Sequence, residues 1–181
     1  MRKPIAASLT LLAVSAVANC TEPANGSDAE PAQSSAQYLQ ASSSVTQCPG
    51  TAPEVVAMDI TDAASGVSMA ANQLTVSEAG AYLIVAAPQV GREGGGPYGC
   101  FDLWLRVNGT DVDNSNVQLC QDEDSMAKDV IISQGIVPLE AGDVVEVMMS
   151  ASNPEANICI EAIRPEGEPL VPSIIFSMIR Y

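Results

Sequence analysis

Residues 74–87 read LTVSEAGAYLIVAA, which predicts a strand, a tight turn and then a longer strand. Ser77, Glu78 and Gly80 are residues that favour turns, and we expect Gly80 to adopt a positive φ there. The apolar residues on both sides of this turn are β-branched, aromatic or aliphatic, as in strands. The stretch therefore indicates a β-hairpin inside a larger sheet protein.

The second strand of this hairpin is apolar on both of its faces. Side chains alternate along a strand, so Tyr82 and Ile84 point to one side, and Leu83 and Val85 point to the other. One face can pack on a second sheet. The other face then needs a cover, which comes either from loops of the same chain or from a partner.

The N-terminus has the features of an export signal, which we assign to residues 1–19. Arg2 and Lys3 are followed by an apolar run at 5–17 that is too short to span a bilayer. Two processing sites are open. Residues 16–18 fit ordinary signal peptidase, whereas residues 17–20 resemble a bacterial lipobox, in which Cys20 is the lipid attachment site.

The cysteine count favours the lipobox. The chain has five cysteines, so lipidation of Cys20 leaves an even four in an oxidising compartment. We therefore expect an exported lipoprotein of the cell envelope or outer membrane, whose only membrane contact is the N-terminal lipid. Ordinary periplasmic or secreted export is the alternative.

Residues 20–46 are rich in Pro, Ser, Ala, Gly and acidic side chains. Such a composition buries too little apolar surface to offset the entropy lost on ordering. We predict a flexible linker over 20–46 and one folded domain over 47–181.

The charge of the chain excludes several classes of function. The formal net charge is −15 and there is no histidine. A strongly acidic protein repels nucleic acid, so none is expected as a partner. Without histidine, neither a Ser-His or Cys-His catalytic pair nor an imidazole metal site can form.

From residue 48 onward the signals are those of strands and turns, with no helical period. Residues 101–107 alternate cleanly, with Phe101, Leu103 and Leu105 directed inward and Trp104 outward. The Asn-Gly pair that follows is a strong hairpin signal. Eight to ten such strands predict an all-β jelly-roll sandwich of about ten antiparallel strands.

Four short motifs, in this order, resemble one known family. They are Leu-x-Val-x-x-x-Gly-x-Tyr at 74–82, Leu-x-Val-Asn-Gly at 105–109, Leu-x-x-Gly-Asp-x-Val at 139–145 and Ser-x-x-Phe-Ser at 173–177. Together they resemble the complement component 1q and tumour necrosis factor-like jelly roll, over roughly residues 50–181.

The resemblance implies a non-catalytic homotrimer that binds protein or glycan ligands through its surface. In that family the strands corresponding to 81–87 and 174–181 lie side by side around the three-fold axis. The resemblance therefore places Tyr82, Ile84, Phe176 and Ile179 at the trimer interface.

A carboxylate-dependent jelly-roll enzyme acting on glycans is the alternative function. Its acid and base would come from the densest carboxylate cluster of the chain. That cluster comprises Asp111, Asp113, Asp122, Glu123 and Asp124. No cofactor is expected, although the spacing of Asp111, Asp113 and Ser115 is similar to the start of a calcium loop, so calcium stays open.

The four remaining cysteines allow three disulfide pairings, of which we predict Cys100 with Cys120 and Cys48 with Cys159. An ideal two-residue hairpin at Asn108-Gly109 pairs residues whose numbers sum to 217, and Cys100 and Cys120 sum to 220. A bulge or a small slip in the hairpin brings them within reach of a disulfide.

Overall fold

A computed structural model describes residues 36–181, which form an antiparallel β-sandwich. Ten of its strands are four residues or longer, and four have two residues. The strands are β1 Tyr38–Ser43, β2 Glu54–Val55, β3 Ile60–Ser65, β4 Val67–Ala70, β5 Gln73–Val76, β6 Gly80–Gly91, β7 Gly99–Val107, β8 Thr110–Asp111, β9 Val117–Gln121, β10 Asp129–Val130, β11 Ser133–Leu139, β12 Val144–Ala151, β13 Cys159–Ile160 and β14 Ile174–Arg180.

Two sheets face each other. The first sheet runs β3-β1-β14-β6-β11, and the short β10 and β13 also pair with β6. The second runs β4-β5-β12-β7-β9, with β2 beside β12 and β8 beside β7. The chain crosses repeatedly between the sheets, as in a jelly roll. The predicted fold class is confirmed.

The core lies between the inner faces of the two sheets. Tyr82 and Ile84 of β6 and Phe176 of β14 are fully buried from the first sheet, opposite Phe101 and Leu103 of β7 from the second. The Tyr82 hydroxyl donates to the Glu78 carbonyl at 2.7 Å, so the buried phenol keeps a polar partner. Alternation along these strands thus gives one continuous core.

The folded domain begins earlier than predicted, because part of the expected linker is a central strand. β1, Tyr38–Ser43, lies between β14 and β3 and pairs with both. Leu39 and Ala41 are buried in the core, although their neighbours Gln40 and Ser42 are polar. The linker boundary at 46 is therefore wrong. Residues 1–35, with the predicted signal peptide and Cys20, lie outside the described residues.

Gly80 has a different role from the one expected. Its φ is not positive, since the positive-φ glycines of the described chain are at 66, 94, 109, 142 and 167. Instead, a Cβ atom on Gly80 would lie 2.8 Å from side-chain atoms of Arg180 on the neighbouring strand β14. Gly80 therefore allows close packing of the Arg180 side chain across β6.

The Asn-Gly hairpin forms as predicted, with φ of +49° at Asn108 and +78° at Gly109. Next to it, Arg106 pairs with Asp111, but three residues earlier Leu103 already pairs with Val117. The two β7 residues at 104 and 105 thus lie opposite five residues, 112–116, of the chain that returns after the hairpin turn. We call residues 112–116 the insert, and it accounts for the register sum of 220.

Both predicted disulfides are present. Cys100 and Cys120 are direct partners in the β7–β9 ladder. Cys48 and Cys159 are 111 residues apart in sequence and join at the edge of the first sheet, beside the bridge between Gln47 and Ile160. The two bonds are consistent with an exported protein that folds in an oxidising environment.

The glycine-rich loop between β6 and β7 is anchored by a buried arginine. Arg92 is 1% exposed and donates hydrogen bonds to the backbone carbonyls of Pro97, Asp122, Ser125 and Ala156. These carbonyls belong to three different loops. Arg92 thus fixes three connections at one end of the sandwich.

Candidate functional site

The outer face of the first sheet is mostly apolar along β1, β6, β11 and β14, and we call it the apolar face. Its outward apolar side chains are Tyr38, Leu83, Val85, Ala87, Ile136, Ile175 and Ile179, with Ile132 just before β11. Gln40, Ser177 and Gln134 are the outward polar side chains in the row of Val85.

Several of these side chains are open to solvent in the single chain. Ile136 is 65% exposed, Ile179 49% and Ile175 45%. The register places Leu83 between Ile136 of β11 and Ile179 of β14, so the three form a row across the sheet. Contiguous apolar surface of this kind marks an interaction site on a soluble protein.

The strands of the apolar face also exclude acidic residues. The chain has 22 Asp and Glu residues, yet none lies in β1, β6, β11 or β14. Arg180, at the end of β14, is the one basic residue in these four strands, and it is paired with Glu78. These four strands therefore contribute no carboxylate, and Asp62 of β3 and Asp129 of β10 are the acidic residues in the other strands of the sheet.

A shallow groove of about 300 Å³ runs across the apolar face. Tyr38 of β1, Leu83 and Val85 of β6, and Ile179 of β14 contribute its apolar walls. The groove exists because β1 lies in the sheet, which the composition of residues 20–46 did not predict. Tyr38 and Leu39 beside polar neighbours were the only signal for that strand.

Three of the four residues assigned to the trimer interface do not reach the surface. Tyr82, Ile84 and Phe176 are all 0% exposed and point into the core, so their assignment is corrected. Ile179 alone lies on the apolar face. Both faces of these strands are apolar, so the sequence did not tell which face turns inward.

The outer face of the second sheet carries a pocket of about 370 Å³ lined mostly by polar side chains, which we call the polar pocket. Trp104 and Asp102 project from β7, and Ser150 projects from β12. The β8 residue Asp111 and the insert complete its wall. Trp104 points outward as predicted but is only 9% exposed.

Asp111 is held by two donors at the side of this pocket. Its Oδ1 atom accepts from Arg106 Nε at 2.7 Å and from Trp104 Nε1 at 2.8 Å. The hydrogen bond from Arg106 is the main cause, and that from Trp104 the second, of a pKa lowered from the ordinary aspartate value. Asp111 is thus an oriented, ionised acceptor.

The calcium-loop arrangement does not form at the insert. The Ser115 hydroxyl is buried, donates to the Val112 carbonyl at 2.7 Å and accepts from the Leu105 amide at 3.0 Å. It is therefore turned away from Asp113. Over residues 36–181, no group of three or more Asp, Glu, Cys or His side chains is placed to hold a metal ion.

The predicted carboxylate cluster is divided between two places. Asp111 and Asp113 lie at the polar pocket, whereas residues 122–124 lie in the loop after β9. The five residues of β9 between them span about 15 Å at the usual strand rise. The Asp124 amide donates to the Gly96 carbonyl at 2.8 Å, which fixes that loop against the glycine-rich loop instead.

The comparisons add no family name to these observations. No protein-family model matches the chain, and no curated protein matches it in sequence. Within the described part of the chain, none of the helices has both the length and the hydropathy needed to cross a membrane.

Proposed function

We propose that this chain is an exported, non-catalytic recognition module that assembles as a homotrimer through its apolar face. Its remaining surface, which includes the outer face of the second sheet, then binds protein or glycan ligands. The exposed row of Leu83, Ile136 and Ile179, on strands that carry no carboxylate, carries the proposal.

A second copy of the chain is the occupant that the charge pattern favours. With a net charge of −15, two copies repel each other over most of their surface. The strands of the apolar face carry no carboxylate and expose several isoleucines, so there the repulsion is reduced and apolar surface can be buried. Trimeric closure, rather than a dimer, is what the resemblance to the complement component 1q and tumour necrosis factor-like family implies.

Display from a bacterial cell envelope completes the proposal. The two disulfides support export, and the lipobox-like sequence supports anchoring through Cys20. β1 begins at Tyr38, so 17 residues separate Cys20 from the first strand. Cys20→Ser should release the protein from membranes. If mass spectrometry finds an unlipidated mature N-terminus in the unsubstituted protein, the lipid anchor is contradicted.

Light scattering of the purified protein tests the assembly. We expect three times the chain mass at micromolar concentration, and one chain mass for Ile179→Asp, because an unpaired charge in a buried interface costs several kcal/mol. Ser68→Asp is the matched control, since Ser68 is exposed on β4 of the second sheet. It adds the same charge and should leave the trimer intact.

A stable monomer of the unsubstituted protein would overturn the proposed assembly.

The proposal that the protein is not a catalyst is tested separately, by incubation with neutral oligosaccharides and measurement of new reducing ends. No release is expected. Release that depends on Asp111 or Asp113 would instead support the carboxylate-dependent enzyme.

A further inference from the structure

The polar pocket differs from a simple acidic patch because its lining combines several kinds of chemical group. Asp102, Asp111 and Asp113 offer carboxylate oxygens, Asn116 offers an amide, and Ser150 offers a hydroxyl. Val112 and the exposed edge of Trp104 add apolar surface. We propose that this pocket binds a neutral or amino sugar through adjacent hydroxyl groups of the sugar. This inference rests on the proposed recognition function and names the class of ligand.

The insert holds the wall of the pocket in a fixed shape. The Val112 amide donates to the Leu105 carbonyl at 2.9 Å, and Ser115 bonds to both Leu105 and Val112 as described above. The Ser133 hydroxyl, buried on β11 of the other sheet, donates to the Ser115 carbonyl at 2.6 Å. The insert is thereby fastened to both sheets, so the pocket is formed before a ligand arrives.

The carboxylates are also oriented before binding. Asn116 Nδ2 donates to Asp102 Oδ1 at 3.2 Å, and Gln118 Nε2 lies 3.1 and 3.2 Å from the two Asp102 oxygens. Asp111 is held by Arg106 and Trp104. Each carboxylate oxygen has about two acceptor positions, so acceptor capacity remains for ligand hydroxyls.

The mixture of donors and acceptors selects sugars over other ligands. A sugar hydroxyl both donates and accepts, so adjacent hydroxyls can donate to Asp102 or Asp113 and accept from the Asn116 amide. A metal ion is disfavoured because Arg106 already pairs with Asp111 and Ser115 is turned away. Acidic sugars are disfavoured because three aspartates repel them.

The rim of the pocket is accessible. Asp113, Asn114 and Asn116 are exposed, and Asn114 adopts a left-handed φ of +62° that turns the chain at the tip of the insert. Substitutions at Asp113 and Asn116 therefore leave the core untouched. They remove ligand contacts without the loss of folding that a core substitution would cause.

An array of neutral, amino and acidic oligosaccharides tests the proposal, followed by calorimetric titration with the best monovalent oligosaccharide. We expect binding to neutral or amino sugars and none to acidic sugars. Asp113→Ala should weaken binding at least about tenfold, the loss expected for one hydrogen bond to a charged group, and Asn116→Ala about twofold to tenfold, the loss expected for one between neutral groups. Asp124→Ala removes the same charge from the loop after β9 and should bind as the unsubstituted protein does.

Sugar binding and trimer assembly can be tested independently of each other. Ile179→Asp chains, if monomeric, should keep the affinity of the single site, because the pocket lies on the opposite sheet. Absence of sugar binding, equal binding of acidic sugars, or unchanged affinity of Asp113→Ala and Asn116→Ala would each overturn the pocket proposal. None of these results depends on whether light scattering finds a trimer.

Discussion

The outer faces of the two sheets differ in chemistry although they belong to one sandwich. The apolar face presents Leu83, Ile136 and Ile179 on strands without any carboxylate. The outer face of the second sheet presents Asp102 and Glu146, with its central Trp104 mostly covered. The difference supports the proposal that other copies of the chain cover the apolar face, since contiguous exposed apolar surface marks interaction sites.

The largest effect that we expect is the difference in stability between a charge introduced on the inner side and one introduced on the outer side of the first sheet. Ile84→Asp buries an unpaired carboxylate in the core, at a cost of several kcal/mol against a net stability of ~5 to 15 kcal/mol. We expect this variant to lose its cooperative thermal unfolding transition in circular dichroism. Ile175→Asp, on the next strand but facing outward, should keep that transition.

Folding of Ile84→Asp with normal stability would show that Ile84 is not in the core. It would then return to the interface that the family resemblance implied. Equal loss of folding in Ile175→Asp would mean instead that the apolar face is covered within the single chain.

The next largest effect is the loss of stability when the disulfide of either sheet is removed. Replacing Cys48 and Cys159 by Ala opens a loop of 111 residues at the first sheet and should cost about 5 kcal/mol in the chain-entropy model. The same change at Cys100 and Cys120 opens 20 residues in the second sheet and should cost about 3 kcal/mol. Urea unfolding of the two double variants measures the difference, and a reversed order would contradict it.

The sequence predicted the second sheet better than the first. The alternation of residues 101–107, the Asn-Gly turn and the register of its hairpin predicted β7, the hairpin and the Cys100–Cys120 bond, and all three are confirmed. These signals are local, because each depends on residues close in sequence. The register sum indicated a bulge or small slip at the hairpin, and the structure has there the larger insert of residues 112–116.

The errors lie in the first sheet, where the deciding contacts are distant in sequence. β1 pairs with β14, so Tyr38 meets Ile179 from the opposite end of the chain, and local composition gave no sign of that partner. β6 is apolar on both faces, and only the position of the second sheet makes Ile84 inward and Leu83 outward. Gly80 was misjudged for the same reason, because its neighbour Arg180 is also on β14.

A smaller effect compares single polar changes on the two outer faces. Asp111→Asn weakens a surface ion pair with Arg106, so we expect a loss of about 0.5 kcal/mol in stability and no change in assembly. Ile136→Asn should change the stability of the separate chain by no more than about 0.5 kcal/mol, yet shift the association equilibrium toward monomers. Urea unfolding and sedimentation of both variants check this, and weakened assembly in Asp111→Asn would contradict the division of roles.

The smallest effect is the response to acid. The pKa values of Asp59, Asp111 and Asp143 are lowered, by hydrogen bonds chiefly from Ser44, Arg106 and Asn108, respectively. Each of these carboxylates stabilises the fold fully when the pH is above the pKa that it has in the unfolded chain, near 3.8. This stabilisation is lost as the pH falls through the lower pKa of the folded chain.

We therefore expect the midpoint of thermal unfolding to fall only below about pH 4, and Asp143→Asn, which cannot titrate at that position, to show a smaller fall. The strands of the apolar face hold no Asp or Glu, so protonation breaks no contact between copies, while it reduces the repulsion of a chain with net charge −15. The mass measured by light scattering should thus stay constant from pH 7 to about pH 4. Dissociation over that range would mean that carboxylates, rather than the apolar face, join the copies.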